Sequence, residues 1–305
     1  MPRTRRTRKQ PITSSSSPAT IASVAKNGSS STPQATRTLI RRFHVLLKRQ
    51  AQLRAINEAS SSSAAAELVE IEREMQDMGG LEAYQRMSAI GQGKDRGGGS
   101  EKVLVEWLHE LGFGKGKKKS KERSPTQLQV LEVGALKHNN YAPHSSWISC
   151  TPIDLRSRHP EIREQDYLLL DISENRSRWD AISLSLVLNF IPDPHDRGRM
   201  LALTHQFLRP SGLLFLVLPL PCVNNSRYLT PSSLAALLAH IGFAPVRERW
   251  RESGKVAYWL FQKTDPPLGR DNTNARSNNN EGTGGWGKKK VLREGGGRNN
   301  FCILL

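Results

Sequence analysis

From Leu128 onward the chain carries short, nearly unbroken apolar runs separated by turn formers. They are LQVLEVG at 128–134, WISCTPIDL at 147–155, DYLLLD at 166–171, WDAISLSLVL at 179–188 and GLLFLVLPL at 212–220. Runs of this length without polar alternation predict strands covered on both faces of a sheet. Between the fourth and fifth runs, PHDRGRMLALTHQFLRP reads as an amphipathic helix ended by Pro210. After the fifth, TPSSLAALLAHIGF reads as a helix with Thr230 as N-cap, Pro231 in its first turn and Gly242 near its end. Strands alternating with helices predict an α/β, doubly wound, Rossmann-like sheet. The last apolar stretch, PVRERWRESGKVAYWLFQK, reads as an antiparallel hairpin across Ser253-Gly254 at the sheet edge.

Upstream the period changes. LIRRFHVLLKRQAQLRAI places Leu39, Phe43, Leu46, Leu47, Leu53 and Ile56 near helical spacing, with arginines and lysines between them. Such a basic helix suits an RNA or an acidic membrane surface, or it packs on the helices that follow at Ala64–Met78, Leu81–Ile90 and Glu101–Leu111. The expected organisation is a basic arm at 1–33, a helical region at 34–113, a basic linker at 114–125, the α/β domain at 126–263 and a tail at 264–305. The arm is too poor in large apolar groups to offset the entropy of ordering, and the Gly/Asn-rich tail is expected to form no core.

Charge sharpens this division. The chain has 305 residues and a net charge of +17, and its first 57 residues hold 12 basic groups and no acid. The run RTRRTRK at 3–9 suits nuclear import or phosphate contact. Three scattered cysteines, Cys150, Cys222 and Cys302, exclude a disulfide framework and a thiolate zinc cluster. With no apolar run near membrane-spanning length, an intracellular protein without stable membrane association is expected.

Candidate chemistry gathers at the strand ends. Gly134 follows the first strand and lets a ligand approach backbone N–H groups. Leu136, Lys137 and His138 replace the rest of a G-x-G-x-x-G fingerprint, so a ligand without phosphates fits better than a dinucleotide. Twenty residues on, Asp154 ends the second strand where a carboxylate can accept from a vicinal diol. Asp171 ends the third apolar run, at the same expected edge.

In order and spacing, LEVGA, PIDL, LLLDI, WDAISLSLVLNFIPDP and LRPSGLLFLVLPLP resemble class I S-adenosylmethionine-dependent methyltransferases. Over residues 81–263 the chain is more specifically similar to the fungal 25S rRNA adenine-N1 methyltransferase family. The resemblance implies S-adenosylmethionine as cofactor, with Gly134 near its methionine moiety, Asp154 on the ribose, and Asp171 with Ile172 beside the adenine. Glu132 would orient the glycine turn. NFIP at 189–192 occupies the place of a base-gripping tetrad, which makes Asn189 the catalytic candidate and Phe190 a stacking one. PLPCVNNSRYLT at 219–230 would line the base pocket through Asn224, Asn225, Arg227 and Tyr228. The implied partner is large-subunit (25S) ribosomal RNA in pre-60S particles, met by a monomer in the nucleus and nucleolus. The helices expected after the first two strands are interrupted here by Pro143 and Pro160.

Two rivals follow from the same residues. Animal relatives of that family include a non-enzymatic cofactor sensor, which would have no use for an acid-free extension of 57 residues with twelve cations. The closing CILL fits a prenylation box with Lys288–Lys290 upstream, which would put the protein on a membrane.

Overall fold

A computed structural model describes residues 33–57, 62–91, 99–114, 127–157, 159–264 and 285–305. The expected basic arm up to residue 32, the expected linker from 115 and the tail over 265–284 lie outside the described residues. The chain divides into two compact units after Gly91.

The first unit contains α1 (Pro33–Asn57), α2 (Ser62–Asp77) and α3 (Gly80–Gly91). Leu39, Phe43, Leu46 and Leu53 of α1 are buried, and Phe43 stacks on Tyr84 of α3 at 5.0 Å. Arg42 binds Glu74 and Arg49 binds Glu67, so α1 and α2 run antiparallel. The apolar stripe of α1 is therefore spent on its neighbours, and three of its arginines, Arg42, Arg49 and Arg54, on α2. Packing, the more modest reading of that helix, is the one observed.

The second unit opens with α4 (Glu101–Glu110), followed by β1 (Leu128–Val133), β2 (Ile148–Asp154), β3 (Arg163–Glu164), α5 (Ile172–Asn175) and β4 (Trp179–Ser185). Next come α6 (Pro194–Phe207), β5 (Leu208–Pro219), α7 (Pro221–Asn224), α8 (Pro231–Ile241), β6 (Phe243–Arg249) and β7 (Val256–Lys263). The seven strands lie in the order β3-β2-β1-β4-β5-β7-β6, parallel except for β7. This is a doubly wound sheet that reverses direction beside β1, and its ligand edge is the carboxyl end of the parallel strands. α6 begins at Asp193, whose carboxylate accepts from the N–H groups of His195 and Asp196, with Pro194 at N1. α8 has the expected Thr230 cap, a capping box completed by Ser233, and Gly242 in the left-handed region at its end.

Alternate strand residues face two cores. Leu131, Val133, Ile182, Leu184, Leu214, Leu216 and Trp259 pack with α6 and α8. Val130, Ala181, Phe215, Val217 and Leu260 pack with Leu104, Val105, Trp107 and Leu108 of α4. α4 thus covers one face of the sheet and belongs to the α/β unit, not to the helical region at 34–113 in which its period had placed it.

Two further expectations are corrected. DYLLLD is no strand: Tyr167–Leu169 form a 3-10 turn capped by Asp166, and the third strand is the short Arg163–Glu164. Its apolar run reflects burial of Tyr167, whose hydroxyl bonds Thr204 at 2.8 Å, and the packing of Leu168 and Leu170 on the core. The tail is not wholly coreless, because Phe301, Cys302, Ile303 and Leu304 are buried in the main core. Four apolar residues suffice to dock a polar strap that could not fold alone. As the interrupting prolines suggest, the loops after β1 and β2 hold only the 3-10 turn Ala142–His144 and bends among the described residues.

Candidate cofactor and substrate edge

Every parallel strand ends on the same side. Gly134 follows β1 with φ of +74°, and a Cβ added there would meet Val187 Cγ2 at 2.8 Å. Its N–H and that of Ala135 both donate to the carbonyl of Ile153, at 2.9 and 3.0 Å. Only glycine combines that backbone conformation with so close an approach of the loop after β4.

Asp154 ends β2, half-buried. Its Oδ1 accepts from the Arg156 N–H at 2.9 Å, and its carbonyl accepts from Gln165 N–H at 2.8 Å. Burial, above all, raises its pKa, with nearby Glu164 adding to the rise. The second carboxylate oxygen has no hydrogen bond from a described residue and remains available to a diol.

Asp171 does not stand at a strand end. It is exposed and caps α5, accepting from Ser173 Oγ and Glu174 N–H, and these bonds lower its pKa. The acid at the carboxyl end of β3 is Asp166, half-buried, with Oδ1 accepting from Leu168 N–H at 2.9 Å. Asp166 was missed because the apolar LLL run drew the strand three residues too late.

Glu132 lies on β1 at 8% exposure, with Oε1 accepting from Asn140 Nδ2 at 2.7 Å. Burial pushes its pKa up to about 7, which the Asn140 bond partly opposes. This carboxylate ties β1 to the loop at 138–141, two residues before the glycine turn. Beside it, a cleft of about 250 Å³ opens between the first turn of α4 and that loop, lined by Glu101, Lys102, Lys137, Asn139, Asn140 and His144 among others. Ser100, just before α4, bonds Ser185 at the end of β4 at 2.5 Å. That contact carries the segment ahead of α4 onto the ligand edge, which strand periodicity alone did not reveal.

After β4, Leu186 adopts φ of +56° and donates its N–H to Val217 O at 3.0 Å. A non-glycine residue held in the left-handed region marks a backbone that the surroundings over-determine. Asn189 follows, with its Oδ1 buried and without a hydrogen-bond donor among the described residues. Phe190 N–H donates to Val187 O. The carbonyls of Ile191 and Pro192 are bound by Arg197 of α6. Burial lowers the pKa of this arginine, and its guanidinium meets carbonyls with no carboxylate hydrogen-bonded to it.

The loop after β5 is held in the same manner from the strap. Arg293 donates to the carbonyls of Val223, Asn224, Ser226 and Leu229 at 2.5 to 2.9 Å. Arg227 Nη1 binds Asn300 Oδ1, and Tyr228 N–H donates to Ser226 Oγ. Of the residues expected to line a base pocket, Arg227 therefore has its guanidinium committed to the strap, while Asn224 leaves Oδ1 buried and unpaired among the described residues. Neither arginine clasp was visible in the sequence, since Arg197 and Arg293 sit in segments that read as a helix surface and a tail.

A glycine turn with N–H groups at a strand end, an available acceptor at the next strand end and a seven-stranded sheet with β7 reversed define what this edge can hold. A family model described as "25S rRNA (adenine(2142)-N(1))-methyltransferase, Bmt2" matches residues 69–303. The chain belongs to this family. The match takes in α4, the whole sheet and the strap down to Ile303. Among curated relatives, the Schizosaccharomyces pombe 25S rRNA adenine-N(1) methyltransferase is 34% identical, covering 87% of this chain and 91% of its own. The Saccharomyces cerevisiae 25S rRNA (adenine(2142)-N(1))-methyltransferase is 31% identical, covering 87% of this chain and 71% of its own. A solved Burkholderia thailandensis 1,6-didemethyltoxoflavin-N1-methyltransferase with S-adenosylhomocysteine has a TM-score of 0.42 at 20% identity, covering 54% of this chain and 79% of that one.

The family's cofactor is S-adenosylmethionine, and the residues present fit it. Gly134 lets the turn after β1 close against Val187 with no side chain of its own over the edge, the free oxygen of Asp154 suits ribose hydroxyls, and no phosphate cradle is needed.

Proposed function

We propose that this chain methylates N1 of an adenine in large-subunit ribosomal RNA, using S-adenosylmethionine. Membership of the rRNA adenine-N1 methyltransferase family, over a span that includes Gly134, Asp154 and Asn189, carries this reading. The bound cofactor supplies an electrophilic methyl group on a sulfonium.

The protein's work is then positional. Ring N1 offers an in-plane lone pair, so attack needs alignment more than a base. Asp154 holds the ribose, the glycine turn after β1, tied to Ile153, lies against the methionine end, and Lys102, Lys137 and Glu101 of the cleft match the charges of an amino acid. Asp166, instead of Asp171, flanks the cofactor's adenine. Asn189 turns its unpaired oxygen to the exocyclic amine of the target base, recovering the roughly 1–3 kcal/mol that an unsatisfied buried acceptor costs. Phe190 stacks on that base. Because pairing hides N1, the substrate adenine is unpaired or extruded.

The acid-free first 57 residues support an RNA substrate and import to the nucleus, with action as a monomer on pre-60S particles in the nucleolus. The test is incubation of the purified protein with radiolabelled S-adenosylmethionine and ribosomal RNA lacking the modification. Label in 1-methyladenosine supports the reading; cofactor binding with no labelled RNA would overturn it.

A further inference from the structure

The closing residues that resemble a lipid-anchor motif separate into two parts with different fates. Cys302 is 3% exposed, its carbonyl is bound by Arg197, and Phe301, Ile303 and Leu304 are buried around it. The thiol is core, not an acceptor for a prenyl group. Lys288, Lys289 and Lys290, by contrast, are exposed, and none makes an ion pair or hydrogen bond with a described residue. Val291 and Leu292 beside them are exposed too. Over 285–305 the strap holds five basic residues against Glu294 alone.

The position of this strip is fixed. The N–H groups of Leu292 and Arg293 both donate to Arg227 O, at 2.9 and 3.2 Å. Arg227 lies in the loop after β5, at the ligand edge that carries Gly134 and Asp154. The Arg293 guanidinium then pins four carbonyls of that loop, so the chain directly after the lysines is tied to the loop of the proposed base pocket. Three ammonium groups without a partner among the described residues, next to a segment tied to the active edge, suit a polyanion that must be aligned there. Phosphate contacts of this kind set the register of a nucleic acid, whereas charge elsewhere in the chain only attracts it.

We propose that Lys288–Lys290 form a phosphate-binding strip that holds the RNA strand flanking the target adenine. This rests on the reading of the chain as an RNA methyltransferase. An acidic membrane surface is the weaker candidate, since three lysines without a lipid give only marginal anchoring and Cys302 is sealed in the core.

The test compares the full-length protein with its K288Q/K289Q/K290Q variant. Binding of a fluorescein-labelled ribosomal RNA fragment is followed by anisotropy over a range of salt. Affinity should fall at least tenfold at low salt. The slope of log K against log salt should flatten by about two, the value for three contacts to a single strand. Cofactor affinity, melting temperature and turnover at saturating RNA should not change, while KM for RNA rises. Unchanged RNA affinity and slope overturn the proposal. Loss of binding to phosphatidylserine vesicles with RNA binding intact also overturns it, in favour of a lipid surface. If the unmodified protein transfers no methyl group to RNA but the variant still loses RNA affinity, the strip stands and the catalytic reading falls.

Discussion

Arg197 Nη1 donates to the carbonyl oxygen of Cys302, 105 positions later in the chain. The same guanidinium binds Ile191 and Pro192, so one buried side chain joins the strap to the loop of Asn189 and Phe190. Its stack over Phe301, at 4.5 Å, adds an apolar face to the clasp. Arg197→Met would leave three buried carbonyls short of donors and should cost about 3 kcal/mol. Arg197→Lys, which retains the charge and fewer bonds, should fall between. Urea midpoints measure both, and a Met variant as stable as the original would show that the clasp contributes nothing.

Truncation after Asn300 should be more damaging. It removes Phe301, Ile303 and Leu304 from the core, exposes the surface they cover and frees Arg197 and Ser226 from their partners. A loss on the order of 4 kcal/mol or more is expected, read as a drop in melting temperature. Cys302→Ser should cost far less and leave the protein's partition between soluble and membrane fractions unchanged. A shift of the unmodified protein, but not of the serine variant, into membranes would show that the thiol is modified.

At the glycine turn, Gly134→Ala imposes an L side chain on φ of +74° and drives its Cβ into Val187. Stability should fall by about 1–2 kcal/mol and affinity for S-adenosylhomocysteine by tenfold or more. Adding Val187→Ala relieves the contact but not the backbone strain, so it should restore part of the loss. Full restoration by calorimetry would assign the whole effect to the side-chain clash.

Asp154→Ala should abolish cofactor binding while the fold persists, because the one described hydrogen bond of its side chain is a local turn to Arg156. Asp154→Asn keeps that acceptor and loses the charge. It should retain weak binding, with calorimetric affinity between those of the other two forms. Equal affinity in all three would remove the ribose assignment.

Much of the fold was legible because burial on both faces leaves an unbroken apolar run, and six of the seven strands carry one or share a hairpin signal with clear turns. The Thr230 cap and Gly242 were readable since local hydrogen bonds dictate both. The places of Gly134 and Asp154 at the ends of β1 and β2 were readable because each closes an apolar run. The failures have one cause. DYLLLD is apolar because Tyr167, Leu168 and Leu170 are covered by tertiary contacts, so composition could not separate a buried turn from a strand. For the same reason Asp171 was placed at a strand end, where the structure has it capping α5. The strap is invisible locally: its anchor is four residues at the end of a polar stretch, and its energy lies in contacts with residues a hundred positions away.

Glu132 makes the stability of the fold depend on pH in a direction that can be worked out. Its carboxyl, faced by Asn140, Cys150, Tyr141 and Glu101, has a pKa raised to about 7, chiefly by burial. In the unfolded chain an ordinary glutamate titrates near 4.5. Between these values the folded state holds a proton that the unfolded state has lost. Stability therefore falls as pH rises through that window and levels off above about 7; below 4.5 the group contributes no slope. The full penalty is about 3 kcal/mol. Glu132→Gln keeps the shape of the protonated acid without ever ionising. At pH 5 the two proteins should be nearly equal in stability; at pH 8 the Gln variant should be more stable by about 2–3 kcal/mol. Urea midpoints at the two pH values decide it. A difference between the proteins that stays constant from pH 5 to 8 would mean that Glu132 titrates normally, and that its burial is relieved by water or by a cation at the neighbouring cleft.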